Sequence, residues 1–136
     1  ELFAGSSFFR IVTEAHDQTE DPCKIETVQG GLNIDNRRLL DNIDHEDTQT
    51  TGLSHKKGCL SLARYDVGTG NGSFFICLRD EPELNFGGAR QPDGQGFAAF
   101  GQLIRGKEVL EHIRNRVEDN EYLSKPILIH DVSRLE

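Results

Sequence analysis

The residues able to do chemistry in this sequence are dispersed, and most fall outside the spacings that catalysis or metal binding requires. Cys23, Cys59 and Cys77 are odd in number and form no CxxC pair, so they suggest neither a zinc site nor a full disulfide framework. Cys59 and Cys77 lie in apolar runs, where cysteine serves as a small core residue. His16, His45, His55, His112 and His130 show no ligand spacing, and solvated or locally bonded histidines are expected instead of a metal site. Gly68-Thr69-Gly70-Asn71-Gly72 has the glycines of a dinucleotide loop but precedes a strand, not a helix, which excludes that reading. Asp93-Gly94 lacks the spaced carboxylates of a calcium loop. Asp44-His45-Glu46-Asp47 reads as an exposed acidic loop. What remains is Arg10 inside an apolar run, Gln29 before a glycine pair, and the aromatics Phe74, Phe75 and Phe97. An arginine is permanently charged and presents a rigid fork of donors. By itself, however, a strand arginine is ordinarily a solvated surface residue, Gln29 a strand-end polar group, and Phe75, Phe97 and Leu84 core.

The elements that must hold these residues are mostly strands. Phe8–Val12 is aromatic and β-branched. Ile25–Gln29 is a second strand, stopped by Gly30-Gly31. Cys59–Ala63 alternates, and Ser73–Leu78 is so continuously apolar that both its faces should be covered. Phe97–Ile104 and Pro126–Val132 complete six strands. Lys107–Arg116 is the one convincing helix, with Val109, Leu110, Ile113 and Val117 at helical spacing. Residues 13–24 and 79–96 read as loops, and residues 32–58 as a long irregular excursion over the surface. No βαβ alternation is present, so the pattern fits an antiparallel barrel or sandwich.

The chain has 136 residues, one domain's worth spanning 1–136, and enough to bury a core without disulfides or metals. Fifteen basic residues against 23 acidic ones give a net charge of −8. That argues against nonspecific binding to nucleic acid or to an anionic membrane. No stretch approaches the roughly 18 apolar residues of a membrane span.

The strands carry five motifs in a recognisable order. Phe8-Phe9-Arg10 with its following β-branched pair resembles the F-H-R-x-I element of the cyclophilins. Val28-Gln29-Gly30-Gly31 matches their Q-G-G turn. Gly58-Cys59-Leu60-Ser61-Leu62-Ala63-Arg64 resembles G-x-[LIV]-S-M-A, and Gly72-Ser73-Phe74-Phe75-Ile76 resembles the S-x-F-F-I strand. Leu84, Phe100-Gly101 and Gly106 before the helix resemble L-D…F-G-x-V-x-x-G. Each is weak alone; five in order over residues 8–113 are specific. The run from Asn85 to Gly101 looks like a bacterial subgroup of the family.

The resemblance implies a mainly β fold, a closed antiparallel barrel with a capping helix. In the family, two strands and a helix precede the F-x-R element. This sequence starts almost at that element and contains no methionine, so the expectation is an N-terminally incomplete chain, with exposed edges, that folds poorly alone. The implied activity is peptidyl-prolyl cis-trans isomerisation without cofactor or metal, on proline-containing peptides or unfolded clients. A soluble monomer of the cytoplasm or periplasm is expected. The implied catalytic residue is Arg10. Phe75, Leu84 and Phe97 would wall the proline pocket and Ala63 would line the adjoining groove. Gln29 would bond the substrate backbone and help hold Arg10, and Arg64 would lie where substrate main chain pairs. Ser73, Glu26 and Glu83 depart from the usual residues of the site, with Ile25 as a substitute apolar wall. Two rival functions are a binding module that keeps the groove without turnover, and a carbohydrate- or ligand-binding sandwich with no cleft joining Arg10 to Phe75.

Overall fold

A computed structural model describes residues 5–32 and 40–135; the part of the long excursion at 33–39 lies outside the described residues. Six antiparallel strands form one sheet: β1 (Ser7–Val12), β2 (Thr27–Gly31), β3 (Cys59–Leu62), β4 (Ser73–Cys77), β5 (Ala98–Gln102) and β6 (Tyr122–Leu128). Their order across the sheet is β5-β3-β4-β2-β1-β6. The expected barrel is therefore not closed by hydrogen bonds among the described residues: β5 and β6 are the two edges. Pro126 lies within β6, as an edge strand permits, because proline has no N–H to give to a ladder. Reading that strand as starting at Pro126 placed it four residues too late.

Two apolar clusters cover the two faces of the sheet. β4 serves both, as its continuous apolar run predicts: Phe75 and Cys77 join Val12, Ile25, Cys59, Leu84 and Ala99 on one side. Phe74 and Ile76 join Ile11, Val28 and Leu123 on the other. Helix α2 (Lys107–Arg114) packs on this second face through Leu110 and Ile113, while Val109 points outward and is half exposed. Burying each large side chain contributes about 1.5–3 kcal/mol relative to exposure. Gly30 and Gly31 continue β2 instead of ending it. A Cβ on Gly30 would meet the Phe8 ring at 2.7 Å, so glycine is what lets β1 lie this close.

Within the long excursion, one short helix α1 (Thr48–Thr51) is capped by Asp47, whose carboxylate accepts from the Thr50 amide at 2.8 Å. Asp44–Asp47 is a loop, as read from the sequence, and its last residue has the further part of satisfying one unpaired amide at the helix start. A single 3₁₀ turn, Pro82–Leu84, carries Leu84 inward to full burial.

Candidate functional site

The ladder lines up the site residues in a row across one face of the sheet. Tyr122 pairs with Arg10, Arg10 with Gln29, Gln29 with Phe75, Phe75 with Ser61, and Ser61 with Ala99. Arg10 joins this row because of a bulge. Phe8 pairs with Gly30 and Arg10 with Gln29, leaving Phe9 without an opposite number. Regular alternation would place Arg10 on the same face as Phe8; the extra residue turns it to the other.

Arg10 is then fixed from three directions. Its Nη1 donates to Gln29 Oε1 at 3.1 Å and its Nη2 to Glu121 Oε1 at 3.0 Å, and its Cζ lies 5.4 Å from the centre of the Tyr122 ring. Gln29 is itself oriented: its Nε2 donates to Ser73 Oγ at 2.9 Å, which leaves its carbonyl oxygen to face the arginine. Ser73, a departure from the family pattern, thus has a role in aiming Gln29.

Beside this polar end lies an apolar one. Phe75 and Phe97 meet edge-to-face at 5.3 Å, a favoured arrangement for aromatic pairs. Leu84 is fully buried beneath them, and its carbonyl accepts from the Phe97 amide at 2.9 Å. Behind Phe75 stands His55, 1% exposed, with its ring stacked on the phenyl at 6.1 Å. Asn85 Oδ1 can only accept, so the His55 Nδ1 proton points to it at 2.7 Å, and Nε2 accepts from the Ser61 hydroxyl at 2.8 Å. Burial pushes the His55 pKa below its ordinary value, against the opposing pull of the Asn85 bond. The ring is a neutral prop for the wall.

All seven residues singled out from the sequence border a single cleft of about 190 Å³: Arg10, Gln29, Ala63, Arg64, Phe75, Leu84 and Phe97. Ile25 lines it too, in the place where a substitute apolar wall was expected. Arg64 borders the cleft, and its guanidinium is turned to a structural task. Its side chain is 2% exposed and every N–H of its guanidinium is engaged, by Gly96 O, Tyr65 O and a two-point pair with Asp93 at 2.9 and 3.0 Å. Its Cζ also sits 5.3 Å from the Phe97 ring centre. It holds the 93–97 turn against the pocket, and its guanidinium has no donor left for a ligand. The Arg64 guanidinium, with the Gln95 amide, keeps the Asp93 carboxyl below its usual range.

Reading the sequence missed Glu121, Tyr122, Thr27, Thr69, Asn71 and Arg90, of which all but Glu121 line the cleft. Arg90 donates to Asp17 Oδ2 and to Cys23 O, both at 2.7 Å, tying the 13–24 loop to the cleft's rim. The Asp17 side chain is covered although the residue as a whole is half-buried; burial alone would raise its pKa, but bonds from Thr19 and Arg90 outweigh it and hold the carboxyl low. Glu121 and Tyr122 fell in a stretch with no element assigned, and pair with Arg10 across more than 100 residues of sequence. Only the fold brings them together. Among the described residues no group of three or more His, Cys, Asp or Glu could hold a metal ion, and no helix is long and apolar enough to cross a membrane.

Comparison with known proteins adds to this geometry. Residues 1–134 match the family model described as cyclophilin type peptidyl-prolyl cis-trans isomerase/CLD. A Dickeya dadantii protein named peptidyl-prolyl cis-trans isomerase A is 30% identical over 106 residues, covering 74% of this chain and 54% of its own length. A Bos taurus protein named "Probable inactive peptidyl-prolyl cis-trans isomerase-like 6" is 28% identical over 119 residues, covering 88% of this chain and 34% of its own. The chain thus spans about half and about a third of the length of these curated relatives. Among solved structures, a Cryptosporidium parvum cyclophilin type peptidyl-prolyl cis-trans isomerase, crystallised in the presence of the dipeptide Ala-Pro, superposes with a TM-score of 0.66. It is 22% identical, over 96% of this chain and 74% of that one, and it shows the shared fold.

Proposed function

Because the chain belongs to the cyclophilin-type peptidyl-prolyl cis-trans isomerase family, we propose that it accelerates rotation about X–Pro bonds in flexible peptides and unfolded proteins, with Arg10 as the catalytic residue. The observation that carries this reading is the pinned Arg10 guanidinium at the edge of the Phe75–Leu84–Phe97 cleft. Amide resonance gives the peptide bond a rotation barrier of roughly 18–20 kcal/mol. At the twisted transition state the proline nitrogen recovers a lone pair. A donor fixed at that nitrogen stabilises the twisted form more than the planar one, as catalysis requires. Each ~1.4 kcal/mol of such selectivity is worth about tenfold in rate. No bond breaks, so neither nucleophile nor metal has a part.

Arg10 suits this task because only one N–H on each terminal nitrogen is engaged among the described residues, by Gln29 and by Glu121. The second hydrogen on each is available to a ligand. The proline ring would lie against Phe75, Leu84 and Phe97, with Ala63 under the neighbouring residue and Gln29 helping to hold both substrate and Arg10. Arg64 would serve by keeping the pocket's far wall in place.

The test is proline-exchange NMR or a protease-coupled assay on a Pro-containing peptide with the full-length protein. Arg10→Ala should lower kcat/KM by orders of magnitude while peptide binding survives. Full-length wild type without acceleration would end the isomerase reading. That outcome with binding intact would favour the rival, a groove that binds proline peptides without turnover; Ser73 and Glu26, where the family pattern has other residues, are the features that favour it. For the whole protein we propose one domain forming a closed barrel, in which further strands and a first helix complete the sheet at β5 and β6. Support comes from the two unpaired edges. We also propose a monomer working in the cytoplasm or periplasm, to be tested by light scattering and by fractionation of the source cells.

A further inference from the structure

Among the described residues, two polar atoms in the site lack partners, and they belong to one ion pair. Arg10 Nε and Glu121 Oε2 are both buried and make no hydrogen bond to any described residue, although Arg10 Nη2 and Glu121 Oε1 are joined at 3.0 Å. In a guanidinium, Nε–H and the nearer N–H of Nη2 form one straight edge, which fits the two oxygens of a carboxylate. The bonded atoms and the orphaned atoms are the two halves of that side-on match. One half is made and the other half is poised.

Glu121 is well placed to act on Arg10 and nothing else. Its side chain is 10% exposed. Its carbonyl accepts from the amide of Ile11, the residue after Arg10, at 2.8 Å. Its neighbour Tyr122 carries the ring that faces Arg10. Glu121 does not line the cleft, so a bound peptide would not reach it. Without Glu121, one hydrogen bond to Gln29 and the face of the Tyr122 ring would be left to hold the guanidinium.

We propose that Glu121 is a positioning residue, which closes side-on upon Arg10 and so fixes the direction of the two hydrogens left for the proline nitrogen. The proposal rests on the isomerase reading for its kinetic consequence only; the pairing itself does not. In closing, each orphaned atom would gain the partner that a buried polar group ordinarily has. The substrate would then meet an arginine already aimed, and the effect should fall on kcat, since Glu121 contributes nothing to peptide contact.

The experiment uses the full-length protein and the variants Glu121→Ala, Glu121→Gln, Arg10→Ala and the Arg10→Ala/Glu121→Ala double variant. Rates and affinities for one Pro-containing peptide come from NMR exchange. Glu121→Ala should lower kcat about tenfold with KM changed less than about twofold. Glu121→Gln, which offers one acceptor in place of two, should restore only part of the loss. In the Arg10→Ala background, Glu121→Ala should have almost no further effect, because the group it positions is gone. An equal loss with and without Arg10, or wild-type kcat in Glu121→Ala, overturns the proposal. A second readout needs no activity: the Arg10 Nε–H resonance, shifted and slow to exchange in wild type, should move toward that of free arginine in Glu121→Gln. An unchanged resonance also overturns the proposal, and it does so even if Glu121→Ala fails to fold. Wild type without turnover would sink the isomerase reading while this resonance still decides the pairing.

Discussion

Acidification should weaken this fold through one buried ring. His55 is 1% exposed and held neutral by desolvation, so its folded pKa lies below the ordinary 6.5. Above about pH 6.5 the folded and unfolded chains are both neutral at this position, and its contribution to stability is fully present. As pH falls below 6.5 the unfolded chain takes up a proton that the folded chain refuses. Stability is then lost with a limiting slope of about 1.36 kcal/mol per pH unit, until the folded pKa is reached. Between about pH 6.5 and 5.0 the upper bound is about 2 kcal/mol. Glu81 works in the opposite sense: burial pushes its carboxyl up from 4.5, so it gains stability as pH falls toward that value. Comparing wild type with His55→Gln, which does not titrate, removes the Glu81 contribution along with every other shared group. Urea unfolding followed by circular dichroism across this range is the assay. The advantage of wild type over the variant should shrink by up to about 2 kcal/mol from pH 6.5 to 5.0. Parallel curves would refute the reasoning, since they would mean that the ring charges as readily inside the fold as outside it.

Three further outcomes follow from the packing. Gly96→Ala should destabilise the chain by about 2 kcal/mol or more and weaken peptide binding, because its φ is +63° and a Cβ would sit 2.6 Å from the backbone of Asn85 and Leu84; urea unfolding and peptide titration check both. Asp17→Ala should cost about 1–3 kcal/mol in the same unfolding measurement, because it removes the acceptor of Arg90 Nη1 and of Thr19 while the Cys23 carbonyl and the Asp21 carboxylate still face the Arg90 guanidinium. In the folded protein Cys59 and Cys77, at 3% and 0% exposure, should resist iodoacetamide while Cys23 reacts. Burial, with Glu83 and Asp21 adding to it, raises the Cys23 pKa above 9.0. Its labelling rate should therefore still be climbing at about pH 9, where a free thiol levels off; a plateau below that pH would contradict the assignment.

The sequence disclosed the cleft's apolar wall more readily than its polar end. Phe75, Leu84 and Phe97 lie in or beside runs whose periodicity and motif order are local signals, and the strands themselves follow from the same signals. Gln29 and Arg10 were legible because both sit in short motifs. Glu121 and Tyr122 were not, because their pairing with Arg10 closes a loop of more than 100 residues and no local pattern encodes it. Arg64 was legible as a cleft residue, but its charge is consumed by Asp93 and Gly96, partners about 30 residues away. The glycines of β2 misled for a related reason. In isolation Gly30-Gly31 signals a break, whereas here the close approach of Phe8 and of the Gly72–Ser73 backbone demands them. Residue type reports what a strand can tolerate, and the neighbouring strand determines what it needs.

The unmatched residue in β1 has a consequence for how this strand could change length over evolution or by design. Phe9 opposes nothing in β2, so its removal would leave a regular pleat with Phe8 and Arg10 still turned to opposite sides. Losing Ile11 instead would put the arginine and Val12 on opposing sides and scramble one of them. The strand therefore has slack at a single point, immediately before the residue whose direction matters most, and is rigidly counted thereafter.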